Sequence, residues 1–360
     1  HYATTPGNML LTSVVLLMLM MGVNMSGTKN LARVARIGFW CEILCVIALG
    51  IYLLIFHRAQ PFSVLFDSMG VLAHDGSYQT AFMSAALMGL FMFFGFEACG
   101  NVAEEVQNPG RKIPLAMILS IVFGAISAII SVLGYLLASP NLVSIINGKT
   151  ADPIPTILNE ALGAGGATVF IVVAVIAMLS CILSLQAALS RLIFSFSRDQ
   201  MLPGSAWMST LSKNSVPDNA MIVSCLLPVL ICVWVWFQPD NLARITAFAV
   251  IGIYISFQMV VLAALRQRLK GWKPAGEWSV GGWGMLVNLL ALAYGACGIW
   301  LLAQPADSSS FIDRWTVLVG LAVVVGSGLI YMALARPFGR SSAPENDAIE
   351  YARRLRAGQP

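Results

Sequence analysis

The chain has 360 residues, 58% of them apolar and only 11% charged, with a formal net charge of +4. A soluble globular domain of this length carries roughly a quarter charged residues, so the composition excludes an ordinary soluble fold and makes lipid the solvent for much of the surface. The Lys and Arg form no patch that would hold nucleic acid; they punctuate apolar runs, which is a topology signal.

A membrane-crossing helix needs about 20 mainly apolar residues. The chain opens His1-Tyr2-Ala3, with no initiator Met and no signal-peptide pattern ahead of the first predicted span, 9–27. The second, 37–56, is entered through a basic connection and contains Glu42. The third, 80–100, contains Glu97 and three glycines. The fourth, 114–138, follows the turn Asn108-Pro109-Gly110. Residues 139–166 are too polar to span. Within them Asp152-Pro153 reads as an N-cap followed by Pro at the first helical position. Ile154, Ile157, Leu158, Ala161 and Leu162 then share one face of a short outer helix, which fits equally a lid or an ordinary loop helix. Further spans are predicted over 167–190, 219–238, 242–265, 284–303 and 314–335, separated by Pro203-Gly204, Pro217-Asp218, Gln238-Pro239-Asp240 and Gln304-Pro305. The expected organisation is an all-α polytopic membrane domain of nine spans over 1–335 and a polar tail over 336–360.

Seventeen of the 21 Lys and Arg lie in one set of alternating connections and in the tail, while the other set holds only Arg58, Lys149, Arg244 and Arg314. Cytoplasmic loops carry the Lys/Arg excess, which places the first set and the C-terminus in the cytoplasm and the N-terminal end outside. A mistaken span would have scrambled this alternation.

The seven cysteines all sit inside apolar runs without a CxxC pair, and His1, His57 and His74 lie outside the spans. These patterns suit packing cysteines rather than disulfides or metal, and they offer no haem ligands. No Walker sequence, HExxH or GxSxG is present, so neither an ATP-driven motor nor a membrane-embedded enzyme is expected, and no cofactor is implied.

Ionisable residues inside spans are costly and usually functional. Glu97 follows Gly89-Leu90-Phe91-Met92-Phe93-Phe94-Gly95-Phe96. Such a segment suits a helix broken near the bilayer midplane, whose freed carbonyls hold an ammonium and whose freed N–H groups hold a carboxylate. It also suits an intact helix that uses glycine for close packing. Arg191, at the end of its span, is expected to snorkel.

Phe91–Glu97, followed by Glu104-Glu105, Asn108-Pro109, Arg111 and Ile113-Pro114, resembles the amino acid–polyamine–organocation superfamily. Its members break the sixth helix at a Gly-aromatic-Glu sequence and follow it with an acidic pair and Asn-Pro-x-Arg-x-Ile-Pro. Arg191 through Arg198-Asp199-Gln200-Met201-Leu202-Pro203 is similar to the end of the family's eighth helix, with Gln200 in place of the usual Gly. Asn24 to Lys29 is similar to the link between its fourth and fifth helices. Gly271-Trp272, Gly281-Gly282-Trp283 and Asn288 to Tyr294 resemble the amino acid/choline branch.

The resemblance implies a five-plus-five inverted-repeat transporter fold, with the nine spans standing as helices four to twelve and the first three outside this sequence. It implies secondary transport of amino acids or related amines by alternating access, coupled to protons. Sodium coupling, exchange, and a non-transporting channel or structural subunit are the alternatives. By the same resemblance the carbonyls of Phe91 and Phe94 face a substrate ammonium, Phe91 and Phe96 shape an aromatic wall, and Gly95 permits the break. Glu97 then either links gating to protonation or caps the second half-helix. Glu42 stands where many relatives carry a Lys, and fits a proton carrier, a partner for an absent cation, or a cavity rim. Ser180, Ser184, Gln186 and Tyr254 are pocket candidates, although helix packing is the commoner role of such polar groups.

Overall fold

A computed structural model describes residues 5–67, 78–146, 153–212, 216–237, 242–273, 277–304 and 311–341. Among these residues every regular element is helical. The principal helices are α1 (Pro6–Met25), α2 (Thr28–Phe56), α3 (Tyr78–Met92), α4 (Ala98–Asn101) and α5 (Pro109–Ala138). They are followed by α6 (Pro153–Arg198), α7 (Asp218–Phe237), α8 (Leu242–Leu269), α9 (Gly284–Leu302) and α10 (Thr316–Ala335). Eight helices among the described residues are long and apolar enough to cross a membrane, and the chain is a multi-pass membrane protein. The remaining expected span, 80–100, is the one that is divided, into α3 and α4.

The helices begin where backbone chemistry allows. Thr5 caps α1 by accepting from the Asn8 N–H at 3.3 Å, ahead of Pro6. Asn108 turns left-handed, φ 55°, so that α5 starts on Pro109, whose missing N–H would have had no helical partner. α2 passes through a π-helical turn at Leu44–Ala48 and then meets α5 where both lack side chains. A Cβ on Gly134 would lie 2.9 Å from the Gly50 Cα. Small residues let backbones approach closely where lipid supplies no hydrophobic drive between helices.

α6 is two helices joined at Gly163, φ 69° and ψ 169°. The first part is the expected outer helix. Ile157 and Leu158 are buried against Leu49, Leu53 and Ala138, with Ala161 and Leu162 beside them. Ile154, expected on the same face, is instead 50% exposed, because it starts the helix before that helix reaches α2. Asp152, its expected cap, lies outside the described residues, as do the breakers Gln238-Pro239-Asp240, the charges Lys149, Lys213 and most of the tail.

Two packing groups result. α1 packs on α6 and α7, and α2 on α5 and α6. α8 packs on α9 and α10. The divided span reaches both: α3 packs on α9, whereas α4 packs on α5 and α6.

Candidate functional site

The site is built on the interval between α3 and α4. In a continuous helix the Gly95 N–H would bond the Phe91 carbonyl; here it donates to Glu97 Oε2 at 2.8 Å. The Ala98 N–H, which would have bonded Phe94, goes to the Gly95 carbonyl at 3.1 Å. The Phe91 and Phe94 carbonyls therefore lose their helical donors. Gly95 holds φ at +98°, a conformation open to glycine and costly for other residues. α4 then restarts with tight i→i−3 bonds, Cys99 to Phe96 at 3.3 Å and Gly100 to Glu97 at 2.8 Å. Of the two readings left by the sequence, the broken helix is the one observed.

A cavity lies on each side of this interval. One, of about 490 Å³, is bounded by Glu42, Phe91, Phe94, Ser120, Cys181 and Ser184. The other, of about 400 Å³, is bounded by Glu97, Tyr254, Phe257, Gln258 and Tyr294. Phe93 and Phe96 line both. In the second cavity the Tyr254 and Tyr294 hydroxyls are 3.3 Å apart, the Phe96 and Phe257 rings 5.1 Å apart, and Gln258 Nε2 donates to the Ala291 carbonyl at 3.2 Å. Glu97 is thus the carboxylate of a mostly apolar wall rich in aromatic rings.

The predicted residues divide accordingly. Ser184 and Tyr254 do line cavities. Ser180 lines neither of these two: it is buried against Gly38, where a Cβ would lie 2.0 Å from the Ser180 Cβ, and its hydroxyl donates to the Val34 carbonyl at 3.5 Å. Nor does Gln186 line either. It is buried, and its Oε1 accepts from Asn24 Nδ2 at 3.1 Å, tying α1 to α6. Glu42 is exposed and lines the rim of the first cavity. The sequence named Tyr254 but missed Phe257, Gln258 and Tyr294. The i, i+3, i+4 spacing of Tyr254, Phe257 and Gln258 was the available signal, since it puts them on one helix face.

The charges of the motifs form a second cluster beyond α4. Arg191, expected to snorkel, is instead buried, because Glu105 gives it a partner within the protein. Its Nε and Nη2 donate to the Glu105 carboxylate, and its Nη1 donates to the Ala187 carbonyl at 3.1 Å. Arg198 grips Glu104 through two hydrogen bonds of 2.9 Å and sits 3.6 Å from Asp199. The Arg198 hydrogen bonds hold the Glu104 carboxyl below its ordinary value. Gln200 takes φ 61°, the left-handed turn that a glycine would otherwise supply. Asn108, Pro109, Arg111 and Pro114 stand apart from both cavities, at the start of α5.

The amino acid permease profile matches residues 1–309. The chain belongs to the amino acid permease family. Within this family it is 27% identical to an uncharacterised amino-acid permease of Schizosaccharomyces pombe over 66% of this chain and 42% of that one. It is 29% identical to the thiamine transporter of the same organism over 59% of this chain and 36% of the other. It is 22% identical to the choline transporter of Saccharomyces cerevisiae over 76% and 49%. The chain spans about half the length, or less, of these curated family relatives.

Proposed function

We propose that this chain forms helices four to twelve of a secondary transporter that moves amino acids or related amines across the plasma membrane by alternating access, coupled to protons. The basic connections then face the cytoplasm, as does the tail. The observation that carries this reading is the unwound interval 93–97, with the Gly95 N–H held by Glu97 and a cavity on either side. Freed Phe91 and Phe94 carbonyls are acceptors suited to a substrate ammonium, and Phe91, Phe94 and Phe96 give it apolar walls.

The same arrangement suggests how a proton enters the cycle. An ionised carboxylate is a stronger acceptor than a neutral one. Protonating Glu97 weakens its hold on Gly95 N–H and loosens the interval; ionising it tightens the interval again. Glu42, at the rim of the first cavity, is the second candidate for proton exchange. The aromatic lining around Glu97 favours a cationic amine, because ring faces and a carboxylate both attract an ammonium. The choline and thiamine transporters among the relatives agree with that preference.

Counterflow of radiolabelled amino acids and of choline in proteoliposomes, made with the full-length protein, tests the reading. Accumulation driven by an imposed pH gradient is expected. Accumulation that needs sodium instead moves the coupling to that ion. Flux without counterflow or accumulation describes a channel and overturns the proposal.

A further inference from the structure

The first cavity, of about 490 Å³, is walled by α2, the broken helix, α5 and α6. It offers acceptors at two places. One is the interval itself, where the Phe91 and Phe94 carbonyls have lost their helical donors. The other is Glu42, exposed at the rim on α2. The hydroxyls of Ser120 and Ser184 also line the cavity, but they donate back into their own helices, to the Met117 and Ser180 carbonyls at 2.8 and 2.9 Å. Only their oxygens remain for a ligand, again as acceptors.

Glu42 is the group that packing does not explain. It stands midway along the membrane-crossing helix Thr28–Phe56, where an acid is costly unless it faces a cavity or meets a cation. Among the described residues the ion pairs join Arg191 and Arg198 to Glu104, Glu105 and Asp199, and none includes Glu42. The π-helical turn Leu44–Ala48 begins two residues beyond it, and such widened turns are frequent at functional sites. Every charged side chain among the described residues that line the two cavities beside the break is an acid, Glu42 or Glu97.

We infer that the first cavity receives an amine with two cationic nitrogens, one ammonium on the Phe91 and Phe94 carbonyls and the other on the Glu42 carboxylate. The carbon chain between them packs along the phenylalanine rings of the interval. The inference rests on the transport reading above and narrows its substrate class. An ammonium brings three donors and no acceptor, so each end meets the groups the cavity offers. A contact between ammonium and carboxylate is charge-assisted and stronger than a neutral hydrogen bond. A monoamine of the same length leaves Glu42 without its counter-charge.

The test measures counterflow of radiolabelled leucine, choline, n-butylamine and 1,4-diaminobutane in proteoliposomes holding the full-length protein. The last two share one carbon chain and differ by one ammonium. Half-saturation by the diamine is expected at a concentration about tenfold below that of the monoamine, the effect of one charge-assisted contact. Glu42→Gln is expected to erase that advantage, weakening the diamine about tenfold and the monoamine less than about twofold. Thermal unfolding in detergent is the second readout: the diamine should raise the wild-type midpoint more than the monoamine does, which decides the matter if the variant does not fold. Counterflow of leucine or choline, with the two amines equal, overturns the dication site and leaves the transport reading standing. A variant that weakens both amines alike assigns Glu42 to proton exchange or to structure, and overturns the site as well. No counterflow of any of the four sinks the transport reading and this inference with it.

Discussion

Gly95 and Gly163 each interrupt a helix with a positive φ, and the outcomes are opposite. At Gly163 the outer and membrane-crossing parts of α6 remain joined, and apolar packing of Ile157 and Leu158 on α2 absorbs the turn. At Gly95 the helix stops, a carboxylate takes the stranded N–H, two carbonyls lose their donors, and space opens on both sides. A glycine provides the conformational permission in both places. Only at Gly95 do an acid two residues on and a ring of aromatics convert that permission into a site.

The largest expected effect breaks the contrast at its functional end. A Cβ at Gly95 would meet nothing within 4 Å, so a side chain there acts through φ rather than by collision. Gly95→Leu should drive the interval toward regular helix and reduce substrate uptake by about a hundredfold, from strain of the order of 1–3 kcal/mol. Affinity and uptake at wild-type levels would mean that the interruption serves packing alone.

Glu97→Gln comes next. The amide oxygen can still accept from Gly95, so binding should change by less than about threefold. The titrating group is gone, so proton-driven uptake should fall about tenfold, which is roughly 1.4 kcal/mol. Uptake that keeps its wild-type pH profile removes Glu97 from the coupling path.

Gly163→Ala sharpens the contrast from the other side. Its φ and ψ belong to a region essentially reserved for glycine, so stability should fall by about 1 kcal/mol. Transport per folded molecule should stay unchanged, as a comparison of thermal unfolding with uptake would reveal. A matching loss of transport would join the outer helix to the working site.

The smallest effect concerns the charges that follow α4. The Glu104–Arg198 pair is mostly exposed, so Glu104→Gln should cost less than about 0.5 kcal/mol at neutral pH. Arg198 lowers the folded-state pKa of Glu104. The contribution is therefore complete above the ordinary carboxylate range and disappears as acid titrates Glu104 in the folded state. Denaturation curves of wild type and variant should converge as pH falls through that point; a constant gap would place the effect elsewhere than the ion pair.

Much of this was legible beforehand, for a physical reason. Long apolar runs can satisfy their backbone in lipid only as helices, so the spans and the class of fold follow from composition and spacing. The Gly-aromatic-Glu cluster marked the interruption for a similar reason: glycines and a carboxylate make a poor lipid-facing helix. Polar residues were harder to place, since one hydroxyl or amide can pack helices or line a cavity at the same position in the chain. Ser180 and Gln186 turned out to pack, while Ser184 and Tyr254 line space.

The sequence by itself therefore determined that the chain lives in a membrane, where its helices lie, and which short stretch was a candidate for a break, because local chemistry decides each of these. Only the tertiary structure decided what that stretch does with its backbone. It showed that Glu97 turns back onto Gly95, that Arg191 is buried on Glu105 instead of reaching for water, and that Tyr294 joins Tyr254 from another helix. Those outcomes depend on partners distant in the chain, and side chains of identical local character find different partners once the helices pack.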